Sequence, residues 1–144
     1  MDFDRIVKLI ITEYFSECGK GVLWDKFLSP DFLITELRSQ AVSEGMIRGW
    51  GDDDDRVLEA IERELGMSHG DSEVIVVLDS SFLERKGLVF RKNRIREFCK
   101  WHWDTVPHSD LLSTFDHIFL IPAEGVLFVI HHEGLFCRFE TKDY

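Results

Sequence analysis

The residues best suited to acid–base chemistry stand together near the end of the chain, in VIHHEG, where Glu133 follows His131 and His132. Imidazole and carboxylate groups exchange protons near neutral pH, so this cluster could supply a general acid and a general base. Adjacent residues of a strand point to opposite faces of a sheet, so the two histidines are expected to diverge. At a hairpin tip the same groups would simply be hydrated, and both interpretations stay open.

A zinc site is a second chemistry that these residue types allow. Cys99 and His102 lie three residues apart in CKWHW, and His131, His132 and Cys137 follow later. A structural zinc ion needs two closely spaced ligand pairs that converge with tetrahedral geometry. Only one such pair is present in the sequence, so we expect no metal here.

The aspartate run resembles the start of a calcium loop, because Glu64 is the twelfth residue counted from Asp53. Such a loop needs glycine at its sixth position, where this chain has Leu58. The sequence also contains none of the glycine-rich phosphate loops, GxSxG elbows, HExxH helices or dinucleotide fingerprints that mark common enzyme classes. We therefore expect a protein that is not an enzyme and holds no cofactor.

Four consecutive aspartates, Asp52–Asp55, follow Trp50 in GWGDDDDRVLEAIERELG. One aspartate caps a helix, and each further well-placed charge adds only about 0.3–1 kcal/mol while repelling its neighbours. The surplus favours either solubility or a basic partner, and Trp50 either packs on the core or serves as an exposed anchor. The candidate partner-binding residues are Trp50, Asp52, Asp53, Asp54, Asp55, Glu59 and Glu62.

The net charge is −10, but its distribution is uneven. Residues 1–84 carry 8 basic and 19 acidic side chains, whereas residues 85–100 carry 7 basic and one acidic. Aromatic residues within and beside this basic segment are typical of a platform for single-stranded nucleic acid. The net negative charge of the molecule, however, repels polyanions. We expect the basic segment to pair with the acidic half of the chain, without direct nucleic-acid or membrane binding.

The cysteines and the apolar runs indicate a cytoplasmic protein. Cys18, Cys99 and Cys137 are odd in number and widely spaced, and the first residues lack the basic character of an export signal. The longest apolar runs, at residues 74–78 and 126–130, are far shorter than the roughly 18–20 residues that a membrane-spanning helix requires. Reduced thiols in the cytoplasm are therefore expected.

Apolar spacing predicts helices in the first half of the chain. The first covers residues 3–19, and the second covers residues 29–45, with Ser29 as N-cap and a stop at Gly45. The third begins in the aspartate run, ends at Gly66, and buries Val57, Leu58, Ile61 and Leu65. A further helix is indicated by the spacing of Ile95, Phe98 and His102.

The second half predicts strands. EVIVVLD is typical of a strand buried on both faces, and GLVF of a short one. HIFLIP, VLFVIHH and LFCRFET, separated by glycine-containing turns, predict an antiparallel meander. The last strand alternates like a one-sided edge strand except at Phe136. We expect one α+β domain over residues 1–144, with the N-terminal helices on one face of a mostly antiparallel sheet.

The meander FDHIFLIPAEGVLFVIHHEGLFCRFE, together with the small size and acidic charge, resembles immunity proteins of bacterial contact-dependent growth inhibition systems. The resemblance implies a protein that binds and blocks a cognate basic toxin domain, often a nuclease such as an RNase. Two alternatives stay open. One is a small enzyme that uses His131, His132 or Glu133, and the other is an adaptor or regulator that binds through residues 85–100.

Overall fold

The computed structural model describes residues 38–66, 70–78, 87–105 and 117–141, together with Asp2 and Arg5. Helix α1 spans Asp54–Leu65 and helix α2 spans Ile95–Thr105. The strands are β1 (Ser43–Met46), β2 (Glu73–Val77), β3 (Leu88–Arg91), β4 (His117–Ile121), β5 (Val126–Ile130) and β6 (Leu135–Glu140). Short 3₁₀ turns occupy Arg38–Gln40, Lys92–Arg94 and Pro122–Glu124.

The six strands form one sheet in the order β1-β6-β5-β4-β2-β3, and every pairing is antiparallel. The predicted meander is confirmed, with β5 between β4 and β6. All five residues of β5 are buried, as expected for the fully apolar middle strand. The predicted α+β fold is therefore confirmed.

Both faces of the sheet are buried. Helices α1 and α2 cover one face, and they share a core with alternate residues of the strands: Val57, Leu58, Ile61, Leu65, Ile95, Phe98, Val74, Val76, Phe119, Phe128 and Ile130. Buried residues of the opposite face are Ile75, Val77, Ile118, Leu120, Leu127, Val129, Cys137 and Phe139. Two-sided burial explains why the middle strands are continuous apolar runs instead of alternating patterns.

Helix α1 begins and ends where its sequence predicts. The backbone of Asp53 is extended, and its side chain accepts a hydrogen bond from the Arg56 N–H at 3.3 Å, as an N-cap does. At the other end Gly66 adopts a left-handed conformation and donates its N–H to the Arg63 carbonyl oxygen. The four predicted buried residues of this helix are all in the core.

The helix predicted over residues 29–45 is wrong in its described part. Residues 38–40 form a 3₁₀ turn, and Ser43–Met46 form β1 against β6. The Val42 N–H bonds to the Arg138 carbonyl oxygen at 2.8 Å, and a Cβ on Gly45 would lie 3.3 Å from the Phe136 ring. Pairing with a strand about ninety residues away replaces the helical hydrogen bonds that local spacing predicts.

Strand β6 is consequently an interior strand, and its prediction as an edge strand is wrong. Phe136 breaks the alternation because its ring faces the helices and packs on Phe128, with ring centroids 5.6 Å apart. The helix predicted over residues 3–19 lies outside the described residues, except for Arg5. In the described part of the chain, neither helix has the length and hydropathy that crossing a membrane requires.

Candidate partner-binding surface

The loop before α1 depends on its glycines. Gly49 and Gly51 have φ angles of 82° and 80°, which favour glycine. The Gly49 carbonyl oxygen accepts the N–H groups of Asp52 and Asp53 at 2.9 and 2.7 Å. A Cβ on Gly49 would lie 2.8 Å from the Asp53 carbonyl oxygen and 2.9 Å from the Arg56 Cβ. The GWG motif therefore folds the loop tightly against the start of α1.

Trp50 joins this loop to the β5–β6 hairpin. Its indole Nε1–H donates a hydrogen bond to the His132 carbonyl oxygen at 2.9 Å. A Cβ on Gly134 would lie only 2.6 Å from the Trp50 Cγ, so the ring lies directly over that glycine. The Ile47 N–H also bonds to the Gly134 carbonyl oxygen at 2.9 Å. Of the two interpretations of Trp50, the structure has it packed on the core while partly exposed.

The hairpin turn brings its histidines together. The His131 N–H bonds to the Leu135 carbonyl oxygen at 2.8 Å, and the His131 Nδ1 accepts the Glu133 N–H at 3.1 Å. The rings of His131 and His132 lie 3.9 Å apart, so the expectation that they point to opposite faces is wrong. Strand β5 ends at Ile130, and the alternation of a strand does not continue into the turn.

The acidic candidates divide into two groups. Asp52, Asp53, Asp55 and Glu59 are exposed, and Asp54 is partly exposed. Glu62 is partly buried and forms an ion pair with Arg96 of α2 at 2.5 Å. Glu62 therefore ties the two helices together, whereas Asp52, Asp55 and Glu59 are exposed to solvent.

Two segments that the sequence suggests as alternative functional sites lie side by side. We call residues 47–55 and 131–134 the loop–hairpin surface, because backbone and indole hydrogen bonds join them. The tip of the β5–β6 hairpin carries Glu133, which is exposed like the aspartates of the adjacent loop segment. The sequence contains no signal for this pairing, since the two segments are 82 residues apart at the Trp50–His132 contact.

Three arginines beside this surface are not identified as candidate site residues from the sequence. Arg48, Arg56 and Arg63 line a surface depression of about 260 Å³, together with Glu59 and Ala60. The i, i+3, i+7 spacing of the α1 residues could have indicated that they share a face. The position of Arg48 depends on the close approach at Gly49.

The basic segment makes ion pairs within the chain. Arg96 pairs with Glu62 of α1, Lys92 with Glu124, and Arg94 with Glu97 of its own helix. The Phe90 and Phe98 rings stack on each other with centroids 4.7 Å apart. Pairing with the acidic half occurs at Arg96. Arg85 and Lys86 of this segment lie outside the described residues.

Lys92 is a fully buried cation that sequence reasoning missed. Its side chain is 0 % exposed, and its Nζ lies 2.8 Å from both carboxylate oxygens of Glu124. Burial raises the pKa of Glu124. Hydrogen bonds from Lys92 and Ser72, together with the positive charges of Lys92 and Arg138, lower the pKa by more than burial raises it. The pKa therefore lies below its ordinary value of 4.5. This pair joins the β4–β5 turn to the segment that begins α2.

The described cysteines are buried free thiols. Burial raises the pKa of Cys99 to about 12 and that of Cys137 to about 11; nearby Glu62 and Glu44, respectively, add to the increase. In the described part of the chain, no three His, Cys, Asp or Glu side chains form a group that could hold a metal ion. Cys18 lies outside the described residues.

Comparisons of this chain with models of protein families, with curated proteins and with solved structures find no match. The resemblance to immunity proteins consequently stays a prediction from the sequence. Any role assigned to a residue depends on the geometry described above.

Proposed function

We propose that this chain is an immunity protein that binds and blocks a basic toxin domain, such as a nuclease with RNase activity. The observation that carries the proposal is the exposure of Asp52 and Asp53 at the end of the loop before α1, and of Asp55 in the first turn of α1. One of them, Asp53, is enough to cap α1. Asp52 is not needed for the cap, and Asp55 in the first turn of α1 adds a helix-dipole interaction of only about 0.3–1 kcal/mol while repelling its neighbours.

The chemistry of a nuclease explains why carboxylates would be useful. Nucleases hold phosphate groups with lysine and arginine, so a row of carboxylates can occupy the same cationic groups and compete with the substrate. Opposite charge also accelerates encounter, toward about 10⁸–10⁹ M⁻¹s⁻¹ at low salt. The hydrogen bonds of the loop–hairpin surface fix the carboxylates before binding, which reduces the entropy lost on association.

The test starts from cells that carry the native gene. The tagged chain is used to isolate a partner, and the partner's domain is then expressed alone and together with this chain. We expect the domain to be toxic alone and harmless in co-expression. The double substitution Asp52→Asn and Asp55→Asn should weaken protection, whereas Asp71→Asn, which removes an exposed aspartate elsewhere, should not. A partner that is not toxic, or protection unaffected by the double substitution, contradicts the proposal.

An acid–base enzyme is the second candidate, and the 3.9 Å approach of the His131 and His132 rings favours it. The Nδ1 of His131 is already occupied by the Glu133 N–H, which leaves His132 as the exposed imidazole. Hydrolysis of model phosphodiesters or esters that disappears in His132→Ala would support this function. An adaptor that binds through residues 85–100 is less well supported, since several of their charges pair within the chain.

A further inference from the structure

The depression beside α1 brings three guanidinium groups to one place. Arg56 and Arg63 lie about two turns apart on one face of α1, with Glu59 and Ala60 between them, and Arg48 completes the lining from the loop. All three arginines are exposed. Within the described part of the chain, neither Arg48 nor Arg63 forms an ion pair. Arg56 makes only a long contact with Asp53, at 3.5 Å.

This convergence results from two local features. Helical spacing places Arg56 and Arg63 on the same face of α1. The absence of a side chain at Gly49 lets the loop backbone approach the Arg56 Cβ, and this brings the adjacent Arg48 to the same depression. The arrangement is independent of how the aspartates are used.

The local charge is suited to one anion and not to a polyanion. The charged residues that line the depression, together with Asp53 beside Arg56, are three arginines and two carboxylates, which carry one net positive charge. Asp52 and Asp55 nearby, and the overall charge of −10, oppose a row of phosphates. A single carboxylate fits this charge, and the planar fork of arginine donates two parallel hydrogen bonds to it.

We propose that the depression lined by Arg48, Arg56 and Arg63 binds one Asp or Glu side chain of a protein partner. The site would add an attractive contact of opposite sign to the acidic surface, and it would discriminate between partners that are equally basic. It does not depend on the partner being a toxin, so it can be tested with the isolated chain.

The probe is a blocked peptide, acetyl-Gly-Gly-Glu-Gly-Gly-amide, in which glutamate is the only charged residue. Its glutamine analogue is the uncharged control, and inorganic phosphate is the competing anion. The readout is the NMR shift of the arginine Nε–Hε groups and of the backbone amides. We expect saturable shifts at Arg48, Arg56 and Arg63 with the glutamate peptide only, and weaker binding of phosphate.

Substitutions separate charge from geometry. Arg63→Gln should weaken the glutamate peptide about tenfold, and Arg63→Lys should weaken it too, because lysine keeps the charge and loses the fork. Arg94→Gln removes one exposed arginine outside the depression and should leave binding unchanged. Circular dichroism checks that each variant is folded. Equal shifts with the glutamine peptide, tighter binding of phosphate, or equal loss in Arg94→Gln would overturn the proposal.

Discussion

The indole Nε1 of Trp50 donates a hydrogen bond to the carbonyl oxygen of His132, 2.9 Å away and 82 residues later in the chain. The Trp50 ring also lies over Gly134, so this side chain packs the loop before α1 against the hairpin tip. The exposed aspartates that follow Trp50 are thus connected to the β5–β6 hairpin through this side chain, in addition to the backbone hydrogen bond between Ile47 and Gly134.

The first prediction concerns the stability that Trp50 provides. Trp50→Phe removes the indole N–H and should lower the free energy of unfolding by about 1 kcal/mol. Trp50→Ala also removes a partly buried ring, and we expect a loss of about 2–3 kcal/mol. Urea denaturation measures both. Trp101, which is 51 % exposed, provides the matched control, and Trp101→Ala should cost less than about 1 kcal/mol. Equal losses at Trp50 and Trp101 would contradict this account.

The second prediction tests the contact between Gly134 and Trp50. A Cβ at Gly134 would lie 2.6 Å from the Trp50 Cγ, and φ is 90°, so Gly134→Ala should destabilise the chain by about 2–3 kcal/mol. Gly51→Ala meets open space at φ 80° and should show only the backbone strain, about 1 kcal/mol. A double-mutant cycle decides the matter, because Gly134→Ala should cost less in the Trp50→Ala background. Simple additivity would show that the two residues are not coupled.

Local patterns predict the elements that local interactions stabilise. Helix α1 has a capping aspartate, an apolar stripe and a terminal glycine within fourteen residues, and the structure confirms each. The meander is equally predictable, since glycine turns separate its apolar runs. Strand β1 is not predictable in this way. Its four residues pair with β6, and the small Gly45 fits against Phe136 only once that distant strand is in place.

In the candidate surface, too, some features are visible in the local sequence and others depend on contacts between distant segments. The aspartate run and Trp50 are visible in the sequence, and so is the histidine pair, but their adjacency depends on hydrogen bonds between distant segments. Lys92 is one of seven basic residues in a run, and the sequence does not indicate that this one is buried. Only its pairing with Glu124 across the fold makes burial possible.

The third prediction concerns the Lys92–Glu124 pair. Glu124→Gln leaves a buried ammonium group without its carboxylate and should cost about 3–5 kcal/mol near pH 7. Lys92→Met should cost less, because Glu124 is partly exposed and can be hydrated. Denaturation at neutral pH measures both variants. Glu97→Gln, which breaks an exposed pair with Arg94, is the control and should change stability by less than about 1 kcal/mol.

The same pair predicts the response to acid. The pKa of Glu124 in the folded chain lies below the ordinary value of 4.5, so its contribution is fully present above pH 4.5 and is lost as the pH falls through the folded pKa. As the pH falls from 4.5 through the folded pKa, the free energy of unfolding of Glu124→Gln should therefore decrease less than that of the parent chain. Parallel slopes of unfolding free energy against pH would contradict this assignment.

The fourth prediction concerns the thiols, measured in a Cys18→Ser background so that only Cys99 and Cys137 react. Because burial raises their pKa values to about 12 and about 11, alkylation by iodoacetamide at pH 8 should be slow until the chain unfolds. The ordinary thiol pKa is 9.0. The stability that the buried neutral thiols contribute is therefore fully present below pH 9, and the free energy of unfolding should decline as the pH rises above 9. Rapid labelling of either thiol in the folded chain would show that it is accessible.

The last prediction separates the two uses of the aspartate run. Replacing Asp53, Asp54 and Asp55 with asparagine keeps a capping side chain at position 53, and relief of repulsion offsets the weaker helix-dipole interaction. The unfolding free energy should therefore change by less than about 1 kcal/mol, whereas Asp53→Ala removes the cap and should cost about 1 kcal/mol.

Binding to the proposed basic partner should respond differently from folding. The triple asparagine variant should associate more slowly and show a shallower dependence on salt, because long-range attraction acts before contact. Asp71→Asn changes an exposed aspartate away from the loop and should alter neither property. Trp50→Ala should instead raise the dissociation rate, because it loosens the loop that presents the carboxylates. Binding kinetics at two salt concentrations distinguish these effects. Unchanged association in the triple variant would mean that the aspartates serve solubility, and that the partner binds elsewhere.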